Sequence, residues 1–158
     1  MCVIVDANRA SSFFAEPPGA EDAPVVDWIL GKGGRLVFGG KLSEELLRIN
    51  ASVRTLRQWT LSGRALEIPA PLVSEEERLL RRMGICRSND HHVVALARLS
   101  GARIVVTGDQ ALMADVGNAQ LLSALRGKVY QRPEHAKLLK HSSSCGLAGT
   151  RIRSRRAP

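Results

Sequence analysis

No apolar run in this 158-residue chain approaches the roughly 20 residues that a membrane helix needs. The opening stretch, MCVIVDANRA, has no basic region ahead of its apolar residues and an acid directly after them, unlike a secretory signal. A soluble protein with no membrane partner is expected, its first apolar run belonging to the fold. Cysteine is scarce. Cys2, Cys86 and Cys145 are odd in number, widely spaced and outside any CxxC pattern, which argues against a disulfide framework or a structural zinc site and for a reducing, cytoplasmic setting. No internal repeat is present, and acids are absent after Glu134, where Lys137, Lys140, Arg151, Arg153, Arg155 and Arg156 fall.

That last absence decides how the charge is read. The net charge is +8, but those six residues leave only 17 basic against 15 acidic side chains in the rest of the chain. Excess charge alone therefore does not mark the body as a nucleic-acid binder. The stretch 141–158, with its serine run, glycines and RIRSRRAP ending, lacks apolar periodicity and reads as a disordered basic tail. In it Arg151, Arg153, Arg155 and Arg156 are weak candidates for phosphate contacts. Residues 1–140 form the expected single domain.

An apolar content of 44% is enough for a packed core. Cys2–Val5 and Ile104–Val106 are short runs rich in Val and Ile, as in strands buried on both faces of a parallel sheet, and residues 36–38 look like a third. A weaker strand is expected at Lys128–Tyr130, then a short helix over 133–140. Helical spacing occupies residues 25–30 and then a long stretch where Leu46, Ile49, Val53, Leu56 and Trp59 form one stripe, with Arg48, Arg54 and Arg57 on the solvated face. Trp28 and Trp59 are expected in the core. Ser74 reads as an N-cap followed by Glu75, Glu76 and Glu77 in a first turn, a structural use of acids. A further helix should begin at Ser88-Asn89-Asp90 and stop at Gly101. Alternating strands and helices make this an α/β domain.

Four carboxylates stand at element ends. Asp6 follows the first strand, and Asp109 follows the strand at Ile104–Val106 across Thr107 and Gly108. In open α/β sheets the carboxyl ends of parallel strands share one edge, where the functional crevice forms. Asp90 opens a helix that leads back into that second strand, so it returns to the same edge. Glu44 or Glu45, after the Gly39-Gly40 turn, supplies a fourth. Any one of these acids could be a cap or turn residue. Brought together they repel, each close pair by about 4 kcal/mol at an effective dielectric near 20, and the sequence offers no obvious cation for all of them. Hard oxygen donors without a Cys/His cluster point to Mg²⁺ or Mn²⁺ and hence to phosphoryl chemistry. His91 and His92 adjoin Asp90 but diverge by about 100° on a helix, so the pair is not read as a chelating site. The GGK at Gly39, Gly40 and Lys41 lacks the spacing and hydroxyl of a phosphate-binding loop.

Asp6 in VDAN, Glu45 in SEEL, Asp90 in SND ahead of VVALAR, and Asp109 in VTGDQ resemble the acidic quartet of PIN domains in order and spacing, over roughly residues 1–140. The resemblance implies a three-layer α/β/α sandwich with a central parallel sheet and a metal-dependent endoribonuclease acting on RNA. It makes Asp6, Asp90 and Asp109 metal ligands and Glu45, rather than Glu44, the helix-borne catalytic acid. Asn8 and Thr107 become supporting polar residues. Asp115 corresponds to a position that sometimes carries a further acid, although it reads here as an exposed helix residue. Many bacterial members are VapC-type toxins held by an antitoxin, and many self-associate, so an antitoxin protein and a homodimer are implied partners. The chain carries no antitoxin-like DNA-binding segment. Two alternatives remain: a silent PIN-like module that binds RNA or protein without cutting, and a phosphatase using Asp6 as nucleophile. The second lacks the usual DxD, having Asn8 in the third position.

Overall fold

The computed structural model describes residues 1–122 and 127–141. The basic tail expected over 141–158 lies outside them apart from His141, as do Arg151, Arg153, Arg155 and Arg156. Five strands, β1 (Cys2–Val5), β2 (Arg35–Gly39), β3 (Ala65–Ile68), β4 (Ile104–Val106) and β5 (Lys128–Tyr130), form one sheet in the order β3-β2-β1-β4-β5. Every pairing is parallel. Between them run α1 (Ala7–Phe13), α2 (Ala23–Gly31), α3 (Gly40–Leu47), α4 (Asn50–Leu61), α5 (Ala70–Met83), α6 (His91–Ser100) and α7 (Gln110–Val116), and a 3₁₀ helix (Pro133–His141) follows β5.

The chain walks outward from β1 through β2 to β3, then crosses back to β4 and β5 on the other side. Right-handed crossovers in opposite directions put helices on opposite faces, which gives the three-layer α/β/α sandwich. The reversal falls between β1 and β4, the place where open parallel sheets leave a crevice at the strand ends. Residues Cys2, Val3, Ile4 and Val5 are all fully buried, as are Val105 and Val106, because both sheet faces are covered. Beside them α6 is buried at eight of its ten positions, so it is a core helix and not an amphipathic surface one. It stops where Gly101 takes the left-handed conformation at φ 80°. No helix among the described residues is long and apolar enough to cross a membrane.

Several local expectations need correction. Strand β3 is not anticipated, since ALEI is short, its Leu66 only half-buried and its Glu67 exposed at the sheet edge. The long stripe ending at Trp59 is two helices: Ile49 is extended, and the Ser52 hydroxyl donates to the carbonyls of Leu46 and Ile49 in the break. Helix α5 begins at Ala70, not at Ser74, because Pro71 is preset for a first helical turn. Its Glu76 is therefore an interior position, buried and accepting from Arg98 Nε at 2.8 Å. The final helix is 3₁₀ in type. Cys2 is disulfide-bonded, against the expectation of no disulfide. Trp28 and Trp59 are buried, and Arg48, Arg54 and Arg57 are exposed, as expected.

The turn into α3 carries the tightest backbone approach near the site. A Cβ on Gly39 (φ 153°) would stand 2.5 Å from the Ile68 carbonyl oxygen, and one on Gly40 (φ 55°) would stand 2.8 Å from Val73 Cγ1. Neither position accepts a side chain without moving β3 or α5. Gly39→Ala is therefore expected to lower stability by roughly 2–4 kcal/mol. Gly33→Ala, at φ 76° but with nothing within 4 Å, should cost only about 1 kcal/mol. Urea denaturation of the two variants checks the difference, and equal losses would refute the close approach.

Candidate active site

Asp6 leaves β1 at the crossover point, and its amide donates to the Val106 carbonyl at 2.9 Å, continuing the β1–β4 ladder by one bond. It is the N-cap of α1, yet its side chain makes no capping hydrogen bond. Its carboxylate is instead 4% exposed and accepts from Thr107 Oγ1 at 2.8 Å. Thr107, fully buried, in turn accepts from the Asp109 amide at 3.0 Å. One hydroxyl thus fixes both the Asp6 carboxylate and the backbone of Asp109. Asp109 caps α7, its Oδ1 accepting from the amides of Ala111 (2.9 Å) and Leu112 (3.3 Å). For this acid the capping role and a place in the cluster coincide.

Asp90 stands at the N-cap of α6 without capping it, and its carboxyl lies within hydrogen-bonding reach of Asp109. Glu45, on α3, has a side chain 27% exposed and is close enough to feel the charges of both Asp90 and Asp6. Glu44, its neighbour, is exposed. The four acids expected from the sequence thus meet electrostatically at one sheet edge. Asn8 is more loosely attached: it is exposed, and its Oδ1 accepts from the Gly108 amide at 3.5 Å.

Burial raises the proton affinity of Asp6, Glu45 and Asp90, and their neighbours then pull in different directions. For Asp6, the hydrogen bonds from Thr107 and the Ala7 amide oppose the shift while Asp109 adds to it. For Glu45, Lys41 opposes it and Asp90 and Asp6 add to it. For Asp90, the charges of Asp6 and Asp109 and the shared hydrogen bond with Asp109 add, and Lys41 opposes. His92, 1% exposed, is pushed down to about 4, first by burial and then by Lys41 and His91, so its ring is neutral at pH 7.

Two residues were not read correctly from the sequence. Lys41 is the cation whose charge reaches Glu45, Asp90 and His92; the signal was its position one helical turn before Glu45, on the same face. Asp115, expected as an exposed helix acid, is 1% exposed. Its Oδ1 accepts from the Arg87 amide at 2.7 Å, and its Oδ2 accepts from the Ser88 amide at 3.0 Å and the Ser88 hydroxyl at 2.7 Å. Ser88 Oγ then accepts from the Asp90 amide at 3.2 Å. Asp115 is thus a positioning residue that holds the loop presenting Asp90. Helical spacing could not show this, since it places α7 but not the loop packed on it.

The donor set is suited to a hard divalent cation: clustered carboxylates with raised proton affinity, and a buried Glu45 Oε1 that makes no hydrogen bond. The acids do not close into a cage, and among the described residues no three His, Cys, Asp or Glu side chains form a ready-made metal site. Mg²⁺ requires none, as it keeps several waters and is held through one or two carboxylates. Two apolar grooves of about 260 and 270 Å³ lie elsewhere, one along Phe38, Val53 and Leu56 and the other along Phe14, Val26 and Trp59. Neither is lined by any of the four acids.

Two outcomes are expected. Asp115→Ala leaves the Arg87 and Ser88 amides without their acceptor and should cost roughly 2–4 kcal/mol, with faster amide exchange over residues 87–90; unchanged exchange there would sink the positioning role. The second concerns pH. Asp6, Glu45 and Asp90 bind protons more tightly folded than unfolded, so their contribution to stability is fully present below the ordinary carboxylate range and is lost as pH rises through the raised values. Ion-free protein should therefore melt at a higher temperature in mild acid than at neutral pH, and Asp6→Asn should flatten that slope. A melting temperature that rises steadily toward neutrality in both proteins would contradict it.

Neither a family model nor a curated protein matches the chain. Among solved structures, a chain of the crystal structure of VapBC2 from Rickettsia felis bound to a DNA fragment from their promoter superposes with a TM-score of 0.44 at 13% identity, over 84% of this chain and 99% of that one.

Proposed function

We propose that this protein is a metal-dependent endoribonuclease of the PIN type, with Asp6, Asp90 and Asp109 as the ligands of Mg²⁺ or Mn²⁺ and Glu45 as the fourth catalytic acid. The observation that carries the reading is the meeting of these four acids, from β1, α3, the loop before α6 and the loop after β4, at the crossover edge of the sheet. When bound, the ion supplies the positive charge that activates water and stabilises the transition state of phosphodiester hydrolysis. The chain's own part is to hold the carboxylates in place and aimed. Thr107 fixes Asp6 against Asp109, and Asp115 fixes the loop of Asp90. Lys41, exposed beside Glu45 and Asp90, offers a cation to draw a phosphate toward the acids. The basic stretch Arg151, Arg153, Arg155 and Arg156 is assigned a nonspecific phosphate-holding role.

The sequence resemblance implies RNA as substrate, a toxin role with an antitoxin partner and self-association, and the scarce, widely spaced cysteines imply a cytoplasmic location. The rival reading, a PIN-like module that binds without cutting, is favoured by one feature: among the described residues no ready-made ion cage is formed. Incubating purified protein with a mixed RNA pool and Mn²⁺ separates the two, because a binder leaves the RNA intact.

The same assay ranks the residues. Asp6→Asn and Asp90→Asn should reduce cleavage to background without unfolding the protein. Glu45→Gln should be severely impaired and Glu44→Gln nearly normal, as adjacent helix residues point about 100° apart. Thr107→Val, which loses only the supporting hydroxyl, should fall by about 10- to 100-fold. An Asp6→Asn protein cutting at the normal rate would overturn the assignment.

A further inference from the structure

His92 occupies the second position of α6, two residues after Asp90, and is almost completely buried. Its Nε2 stands 2.9 Å from Glu45 Oε1. At that distance a hydrogen bond would be expected, yet the two atoms approach off the ring N–H direction, and neither has a hydrogen-bond partner. Leaving a buried imidazole nitrogen and a buried carboxylate oxygen both unsatisfied is costly unless something else takes them up. Two donors on adjacent corners of an octahedron with bonds of about 2.1 Å lie about 3 Å apart, and each then points at the shared centre instead of at the other. The off-axis contact has that form.

We propose that His92 Nε2 and Glu45 Oε1 bind one divalent ion together, and that this nitrogen donor makes the site select a first-row transition ion such as Mn²⁺ over Mg²⁺. The proposal rests on the metal-dependent reading of the same carboxylate cluster, makes Glu45 a ligand as well as a catalytic acid, and adds His92 to the set. An all-oxygen set suits Mg²⁺ and Mn²⁺ alike, whereas imidazole favours the later, softer ions. His91 is a built-in comparison, since it is turned about 100° round the helix from its neighbour.

The test is Mn²⁺ binding to the full chain, read by pulsed electron paramagnetic resonance for nitrogen coupling to the bound ion and by calorimetry for affinity. A variant in which His91, His135 and His141 are all replaced by Gln keeps His92 as the sole histidine and leaves the buried pair intact. It should retain the nitrogen signal, and ¹⁵N-histidine labelling should change that signal. His92→Gln, checked for folding by circular dichroism, should lose the signal and at least about tenfold in Mn²⁺ affinity, with much less change for Mg²⁺. Absence of the signal in the sole-histidine variant overturns the proposal, as does an equal loss of both ions in His92→Gln, which would make His92 a support for Glu45 only. If the unaltered chain binds neither ion, the nuclease reading falls as well. If it binds Mn²⁺ and cuts RNA with no nitrogen signal, only the histidine ligand is refuted.

Discussion

The site is organised around a repulsion that the fold sustains. At an effective dielectric near 20, two carboxylates about 4 Å apart repel by about 4 kcal/mol, yet Asp6, Asp90, Asp109 and Glu45 are brought to one sheet edge with Lys41 as the cation acting on two of them. The fold could hardly avoid placing Asp6 and Asp109 together. Once β1 and β4 are parallel neighbours and the Asp6 amide closes the ladder onto Val106, the residues that follow both strands share one crevice. What the sequence had to add was a means of keeping them there. Thr107 does so with a single hydroxyl, donating to Asp6 and accepting from the Asp109 amide, so one side chain ties the two strand ends in a fixed relation.

Around that centre the buried polar groups form a frame. Asp115 binds the Arg87 and Ser88 amides and the Ser88 hydroxyl, and Ser88 passes the constraint to the Asp90 amide. Arg9, three residues after Asp6, binds the fully buried Asp22 at 2.6 Å and the Gln131 carbonyl at 3.3 Å, tying α1 to the start of α2 and to the end of β5. Arg98 links Glu76 of α5 to the Leu121 carbonyl. In each case charge is buried against a specific partner, which holds geometry more than it adds stability. The site is therefore presented by loops, but by loops whose backbone amides are bound to buried side chains.

The central strands were legible because complete burial writes a simple pattern: Cys2–Val5 and Ile104–Val106 are uninterrupted apolar runs, and both were bounded to the residue. The acids at their ends were legible for the same reason, since strand direction fixes where the next residue emerges. Edge strand β3 was not, because Leu66 and Glu67 carry no such pattern when half the strand's surroundings are solvent. The break at Ile49 was missed because Leu46, Leu56 and Trp59 are buried on both sides of it, and a stripe of buried residues reads alike whether one helix or two present it. Asp115 and Glu76 were misread through one error. Sequence periodicity says which face of a helix turns inward, but an acid on that face appears as noise until its donor, from a distant loop or helix, is known.

That error also separates two kinds of buried acid. Asp115 and Asp22 have their oxygens taken up by donors supplied by the chain: three hydrogen bonds in one case, and Arg9 with the Ser12 hydroxyl in the other. They are structural charges, and nothing further is needed to explain them. Glu45 Oε1 has no hydrogen bond, Asp90 caps no helix although it stands at an N-cap, and Asp6 declines the capping role its position offers. An acid that forgoes the local partner available to it does so at a free-energy cost on the order of 1 kcal/mol for a missing N-cap, which fits the proposed role of these acids in holding an ion. Asp109 is the intermediate case, capping α7 while standing within hydrogen-bonding reach of Asp90. Satisfaction by the chain's own donors sets Asp115 and Asp22 apart from Glu45, whose Oε1 has none, while Asp6 and Asp109 combine a donor from the chain with a place in the cluster.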